Sequence, residues 1–257
     1  MSLPPLAANA WLRWDVVSRL LPAQARTVLE IGCGGGAMGT RIAATRDYLG
    51  VEPDATSYAA AAARVAALGR GEVRHGRVED VVEDGRTFDL LCSFEVIEHL
   101  EDDLGALKEW TRWVRPGGWV LLSTPAFASR YGAWDTVVGH YRRYDPQAFE
   151  ELLRSAGLKV TSNVVYGAGL GEVLERARNL IGARRLKAAD ATIAAAAAPE
   201  GDRDAAMAEL TSASGRLLQP PAAAGLAVQA ITAPFRAVQR RFPERGTGLV
   251  TLARLPE

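Results

Sequence analysis

The sequence predicts an α/β fold, a doubly wound and mostly parallel sheet with helices on both faces. Three observations carry this. Short apolar runs recur at 27–32 (TVLEIG), 48–52 (YLGVE), 72–76, 88–93 (FDLLCS) and 119–124 (WVLLST). Amphipathic stretches long enough for helices separate them at 38–45, 55–68 and 102–114. The first run ends in glycines, where a strand would turn into a helix. Strands alternating with helices imply right-handed crossovers and a sheet covered on both sides.

In chain order, 11–21 reads as an amphipathic lead-in helix that ends at Pro22. Asp54 can N-cap the helix after the second strand, and Gly69 ends it. Pro116-Gly117-Gly118 stops the next helix and predicts a tight turn before the fifth strand. Pro146, with Asp145 before it as N-cap, opens a helix running to Ala156, and Gly157 passes the chain into a strand over 158–165. From Gly167 the texture changes. Residues 172–186 look helical and basic on one face, 188–207 are dominated by alanine, and 217–224, with Pro220 and Pro221, read as a loop. A last strand is expected over 248–255 (GLVTLARL). The chain therefore reads as one domain over 1–257, with a lead-in helix within 1–24 and a helical insertion or cap at 167–245 before the last strand.

Composition narrows the function. Thirty basic and thirty acidic residues among 257 give no net charge, which argues against a nucleic-acid binder held by a basic surface. Cys33 and Cys92 cannot form a disulfide framework, and no CxxC pair suggests zinc. No leader pattern stands at the start, and no run reaches the ~18 apolar residues of a membrane span. A cytoplasmic enzyme is the expectation.

In VLEIGCGGG, glycines at 32 and 34 allow positive φ and close approach of a ligand. Glu52 ends the second strand twenty positions after Gly32, the spacing at which a carboxylate reaches ribose hydroxyls. The pattern alone suits any dinucleotide fold, and Ala37 at its third position is tolerated. Glu30, two residues ahead of Gly32, is the discriminating residue. Its carboxylate would repel a pyrophosphate and favours a zwitterionic ligand that bears a sulfonium.

Four motifs in order, VLEIGCGGG, GVEPD, FDLLCSFEVIEHL and LKEWTRWVRPGGWVLLSTP, resemble class I S-adenosylmethionine-dependent methyltransferases. The chain is similar to the small-molecule O-methyltransferase group that includes ubiquinone-biosynthesis enzymes, over about 27–160. The resemblance implies a seven-stranded sheet ending in a reversed hairpin, with 248–255 as its antiparallel strand. It implies that Glu30, Gly32 and Gly34 line the methionine part of S-adenosyl-L-methionine, that Cys33 and Phe94 also bind the cofactor, and that Glu52 holds the ribose. Pro53 or the Asp54 backbone would flank the adenine. Arg77 stands where the family often has an aspartate, so Glu79 or the backbone at Val78 is expected to take the adenine instead.

Glu95-Val96-Ile97-Glu98-His99 follows the fourth strand, at the edge where such sheets hold their ligands. Within one helical turn Glu95 and Glu98 would share a face with His99 beside them, a set that suits Mg²⁺ or Mn²⁺. This ExxEH string resembles the metal motif of ubiquinone and small-RNA 2′-O-methyltransferases, which implies His140 as a further ligand. Without metal, His99 or His140 would be the general base, with Glu98 shaping the pocket. Tyr141, Arg142, Arg143 and Tyr144 are the candidate acceptor residues, near Tyr131 and Trp134. HxRxY followed by AGLKV resembles a bacterial subgroup linked to surface-glycan or lipid modification. The stretch 222–241, apolar and then carrying Arg236, Arg240 and Arg241, would pack on the core or a second subunit, or lie on a membrane surface. The resulting expectation is methylation of a hydroxyl on a small-molecule, glycan or lipid-linked acceptor, with no nucleic-acid partner. N-methylation, a nicotinamide-dependent oxidoreductase and a non-catalytic cofactor binder stand as alternatives.

Overall fold

Strands β1 (Thr27–Ile31), β2 (Asp47–Glu52), β3 (Glu72–His75), β4 (Phe88–Phe94), β5 (Val114–Pro125), β6 (Lys159–Gly167) and β7 (Gly246–Arg254) form one sheet in the order β3-β2-β1-β4-β5-β7-β6. The computed structural model describes residues 3–196 and 224–257. β1 pairs in parallel with β2 and β4, and β7 runs antiparallel between β5 and β6. The sheet is the expected seven-stranded, mostly parallel one.

Alternation along the strands divides the core into two layers. Leu29, Ile31, Leu91 and Leu122 face one side, against Trp110 and Phe149. Val28, Leu90, Cys92 and Leu121 face the other, against Leu12, Ile42 and Val65. The helices that supply these layers are α1 (Ala8–Leu20), α2 (Gly39–Ala43) and α3 (Ala55–Ala66) on the second side. On the first are α4 (Val78–Val81), α5 (Asp103–Trp110) and α7 (Pro146–Ser155), while α6 (Ala133–Val138) lies in the loop after β5.

Local chemistry departs from expectation at two points. Asp54 caps α3 as its sequence position suggests, accepting from the Ser57 N–H at 2.9 Å. Asp145 occupies the N-cap of α7 but makes no side-chain cap bond, because its exposed carboxylate points to solvent and Pro146 alone sets the first turn. Pro116-Gly117-Gly118 makes a bulge inside β5 rather than a turn ahead of it. Val114 pairs with Phe88, and pairing resumes at Trp119 with Leu90, while Gly117 takes φ +70°.

Between β6 and β7 lie α8 (Leu170–Ala196) and α9 (Gly225–Arg241). The alanine-rich stretch is helical as far as Ala196. Its remainder, and the proline loop expected over 217–224 up to residue 223, lie outside the described residues. One face of α9 packs on α1 through Gln239, which is buried. Its amide nitrogen donates to the Leu12 carbonyl (2.9 Å) and to Asp15 Oδ2 (3.0 Å), and its oxygen accepts from the Gly167 N–H (3.0 Å). The other face leaves Leu226 and Ile231 exposed. No helix among the described residues is long and apolar enough to cross a membrane.

Gln239→Ala leaves the buried Gly167 N–H without its acceptor, so a loss of about 1–3 kcal/mol is expected. Urea unfolding measures it, and an unchanged midpoint would contradict the role given to this side chain.

Candidate functional site

The parallel strands end along one edge of the sheet, and the candidate site is built there. After β1 the Gly32 and Cys33 N–H groups donate to the Val51 carbonyl (2.9 and 3.1 Å). Gly32 takes φ +69°, and a Cβ on it would come within 2.6 Å of Val96 Cγ2. Gly34 also has positive φ, but a Cβ there would meet nothing within 4 Å. Gly32 is thus demanded by packing, whereas Gly34 leaves open space in front of the backbone. Glu52, at the end of β2, accepts from the Gly34 N–H (2.7 Å) through Oε2 and from the Asp54 N–H (3.0 Å) through Oε1. Burial raises its pKa, while those two amides oppose the rise.

A cavity of about 410 Å³ opens in front of this loop. Glu30, Gly32, Cys33, Gly34 and Phe94 line it, as the sequence suggests. Glu30 is not an open anion there. It is buried, accepts from the Tyr48 hydroxyl at 2.7 Å, and burial pushes its pKa up to about 8. Glu52, Pro53, Val78 and Glu79 lie outside the cavity, beside the β2 and β3 ends. There the Pro53 carbonyl meets His75 Nε2 (3.1 Å), the His75 ring stacks on Tyr58 at 5.0 Å, and Glu79 pairs with Arg77 (3.6 Å). His75 and Tyr58 escaped the sequence reading because nothing local joins a strand residue to a helix 17 positions earlier.

Glu95 and Glu98 do not share a helical face. Glu95 takes φ +59°, an uncommon conformation for a residue with a side chain, and only Ile97–His99 form a short 3₁₀ turn. The Glu95 carboxylate instead pairs with Arg13 of α1 (2.9 Å) and accepts from the Ser123 hydroxyl (2.9 Å). Burial works against its charge, but Arg13 and Ser123 hold it below the ordinary carboxylate range. Glu98 has no such cation. It is fully buried, its Oε2 accepts from the Thr124 hydroxyl (3.3 Å), and its Oε1 has no hydrogen-bond partner. Burial, reinforced by Glu95, pushes its pKa well up.

The two imidazoles face this orphaned oxygen. His140 Nε2 lies 3.8 Å from Glu98 Oε1, and the His99 and His140 rings meet edge to face at 4.6 Å. His140 Nδ1 is 2.8 Å from Asp135 Oδ1, and His99 Nδ1 is 3.2 Å from the Gly139 carbonyl. In a neutral ring each Nδ1, facing an acceptor, carries the proton and leaves Nε2 as a lone pair. Burial, then His140, pushes the His99 pKa down to about 4, so it is neutral at physiological pH. One ligand atom from each of Glu98, His99 and His140 lies within 4.8 Å of the others, a group that could hold a metal ion. Glu95, expected among the ligands, stands outside it because Arg13 holds its charge.

The acceptor strip divides. Arg143 is buried, lines the cavity and bonds Asp135 (2.8 Å) and Glu175. Arg142 and Tyr144 turn away to Asp103 (2.9 and 2.7 Å), and Tyr141 is exposed outside the cavity. Arg13, Asp135, Glu175 and Arg178, none of them singled out by motif, also line it. They come from three helices far apart in sequence. Asp135 alone had a local signal, five residues ahead of His140.

Comparison with known proteins adds the family. A family described as a methyltransferase domain matches residues 8–163. A Mycolicibacterium smegmatis protein named "Probable S-adenosylmethionine-dependent methyltransferase" is 35% identical over 181 residues, 67% of this chain and 69% of its own. A ubiquinone biosynthesis O-methyltransferase of Methylobacterium nodulans is 32% identical over 58% of this chain and 66% of its own. The chain therefore spans about two thirds of the length of these relatives. Among solved structures, the phosphoethanolamine N-methyltransferase 2 of Haemonchus contortus, in complex with S-adenosyl-L-methionine, superposes with a TM-score of 0.56 at 18% identity. That match covers 100% of this chain and 54% of that one. The Bacillus subtilis YcgJ protein gives 0.57 at 13%, covering 97% and 99%. At such identities the likeness is one of fold.

Glu30 generates a pH prediction. Its folded pKa of about 8 exceeds the ordinary value of 4.5, so its contribution is complete below pH 4.5 and is lost as pH rises through 8. Glu30→Gln cannot ionise. The stability difference between variant and parent should be flat below about pH 4.5 and move in the variant's favour between pH 5 and 8.5. A difference constant across that range, in ligand-free urea titrations, would show that Glu30 is not held neutral.

Proposed function

The chain belongs to the class I S-adenosylmethionine-dependent methyltransferases, and from that membership we propose that it methylates a hydroxyl group of a small-molecule acceptor. The observation that carries the oxygen assignment is the pair of inward-facing imidazole lone pairs, one of them backed by Asp135. An alcohol or phenol must lose a proton as it is methylated, whereas a neutral amine needs far less help from a base. The ubiquinone O-methyltransferases among the relatives support the same choice.

The cradle fits the cofactor. The open face of Gly34 and the backbone from Gly32 to Gly35 would hold its amino-acid end, and Glu52 its ribose hydroxyls. When bound, the cofactor supplies a methyl group on a sulfonium sulfur. His140 Nε2 accepts the acceptor's proton, and the Asp135 carboxylate at Nδ1 stabilises the imidazolium so formed. His99, neutral and half-buried, positions the acceptor oxygen beside it. The walls from α1 and α8 limit water and orient the acceptor, which is the larger part of catalysis for a displacement of this kind.

A second reading adds a divalent cation, Mg²⁺ or Mn²⁺, and is favoured by the unpartnered, buried Oε1 of Glu98. Glu98, His99 and His140 would hold it. Such an ion would lower the pKa of a bound hydroxyl and align two neighbouring oxygens. It would also give the Glu98 carboxylate the counter-charge that the protein does not provide.

Glu52→Ala is expected to weaken S-adenosylhomocysteine binding about tenfold or more, measured by calorimetry, with the fold intact by circular dichroism. Unchanged affinity would remove the cofactor assignment. Labelled methyl transfer from S-adenosylmethionine into a small-molecule extract, followed by NMR of the product, should place the methyl on oxygen. A methyl on nitrogen would overturn the hydroxyl reading. The same assay in excess EDTA decides the second reading: loss of turnover, restored by Mg²⁺ or Mn²⁺, is expected, and full turnover discards it.

A further inference from the structure

Of the three arginines that line the cavity, two are paired among the described residues and one is not. Arg13 is paired with Glu95 (2.9 Å). Arg143 is paired with Asp135 (2.8 Å) and with Glu175, which also takes Arg130 (2.5 Å). Each of the three acids is therefore already engaged by an arginine. Glu30 bonds the Tyr48 hydroxyl and holds its proton up to about pH 8. Arg178, on α8, lines the same cavity and makes no hydrogen bond or ion pair among the described residues. Burial works against its charge and pushes its pKa down from the ordinary value. A half-buried guanidinium facing a cavity without a counter-ion is costly unless a ligand completes it, and its planar fork matches a carboxylate.

We propose that Arg178 is a ligand-binding residue that pairs with a carboxylate entering the cavity, and that this carboxylate belongs to the methyl acceptor. Glu175, one turn before Arg178 on α8, bonds Arg143, and Arg143 shares Asp135 with His140, so Arg178 belongs to the wall of the cavity tied to the proposed base. Beside the loop, the arginine that Glu30 feels is Arg13. An anion brought by the acceptor would thus meet Arg178, on the wall that also holds His140. The other source of a carboxylate is the amino-acid end of the cofactor. The substrate class that follows is a hydroxy acid, and the inference rests on the hydroxyl-methylating reading above.

The Nε–Hε signal of Arg178 in ¹⁵N-labelled protein, identified by its loss in Arg178→Lys, tests this directly. In protein saturated with S-adenosylhomocysteine, acetate should shift the signal saturably while neutral acetamide leaves it in place. A shift on adding S-adenosylhomocysteine, with no further response to acetate, assigns the carboxylate to the cofactor and overturns the acceptor assignment. No response to either overturns the proposal altogether. If calorimetry shows that S-adenosylhomocysteine does not bind, the methyl-transfer reading fails by itself, and acetate against acetamide on the free protein still decides the role of Arg178. With an acceptor found by labelled transfer, Arg178→Gln should raise its KM about tenfold or more and leave S-adenosylhomocysteine affinity within twofold. Arg178→Lys should recover part of the loss.

Discussion

Everything at the sheet edge depends on the missing side chain at residue 32. The turn after β1 and the turn after β4 press against each other there, and a single methyl group would stand 2.6 Å from Val96. That close approach brings the glycine loop, with its amides held on Val51 and Glu52, onto the same cavity as Glu95, His99 and His140. A substitution at Gly32 would do more than strain one backbone angle. It would pry apart the glycine loop and the turn that carries Glu98 and His99, the two sides of the cavity.

The charged network shows how His140 is tied to parts of the chain far from it. Asp135 holds His140 Nδ1 and Arg143 at once, and Arg143 passes the connection to Glu175 on α8. Glu95 does the same toward α1 through Arg13. Removing one member of a buried pair leaves an uncompensated charge, which costs more than the pair contributes. The orientation of the imidazole therefore depends on helices that carry no motif of their own.

What the sequence made legible follows the range of the interactions. The strands, the glycine loop and the Asp54 cap depend on neighbours within a few residues, and their positions were readable to within two residues, except that β5 starts at Val114, five residues ahead of the expected 119. ExxEH was readable as a candidate site but not as a geometry, since helical spacing pairs Glu95 with Glu98 only if the segment is helical. The left-handed turn at Glu95 and the cation from α1 separate them. In HYRRY, composition could not tell Arg143, which faces the cavity, from Arg142, which faces Asp103. Arg13 and Arg178 were beyond reach for a plainer reason. Their neighbours are assembled only when α1 and α8 close over the sheet.

The placement of β7 has a consequence for biosynthesis. β6 touches the sheet only through β7, and β7 begins at Gly246, well after β6 ends at Gly167. On the ribosome, β1 to β5 can dock as soon as they emerge, whereas β6 must wait with both edges bare until the strand that joins it to β5 has been made. Tyr166 waits with it, since its ring lies against the backbone of Gly248. The nascent chain thus passes through a stage with a nearly complete glycine-loop edge and an unfinished wall opposite it, and it is then that chaperones would be most needed.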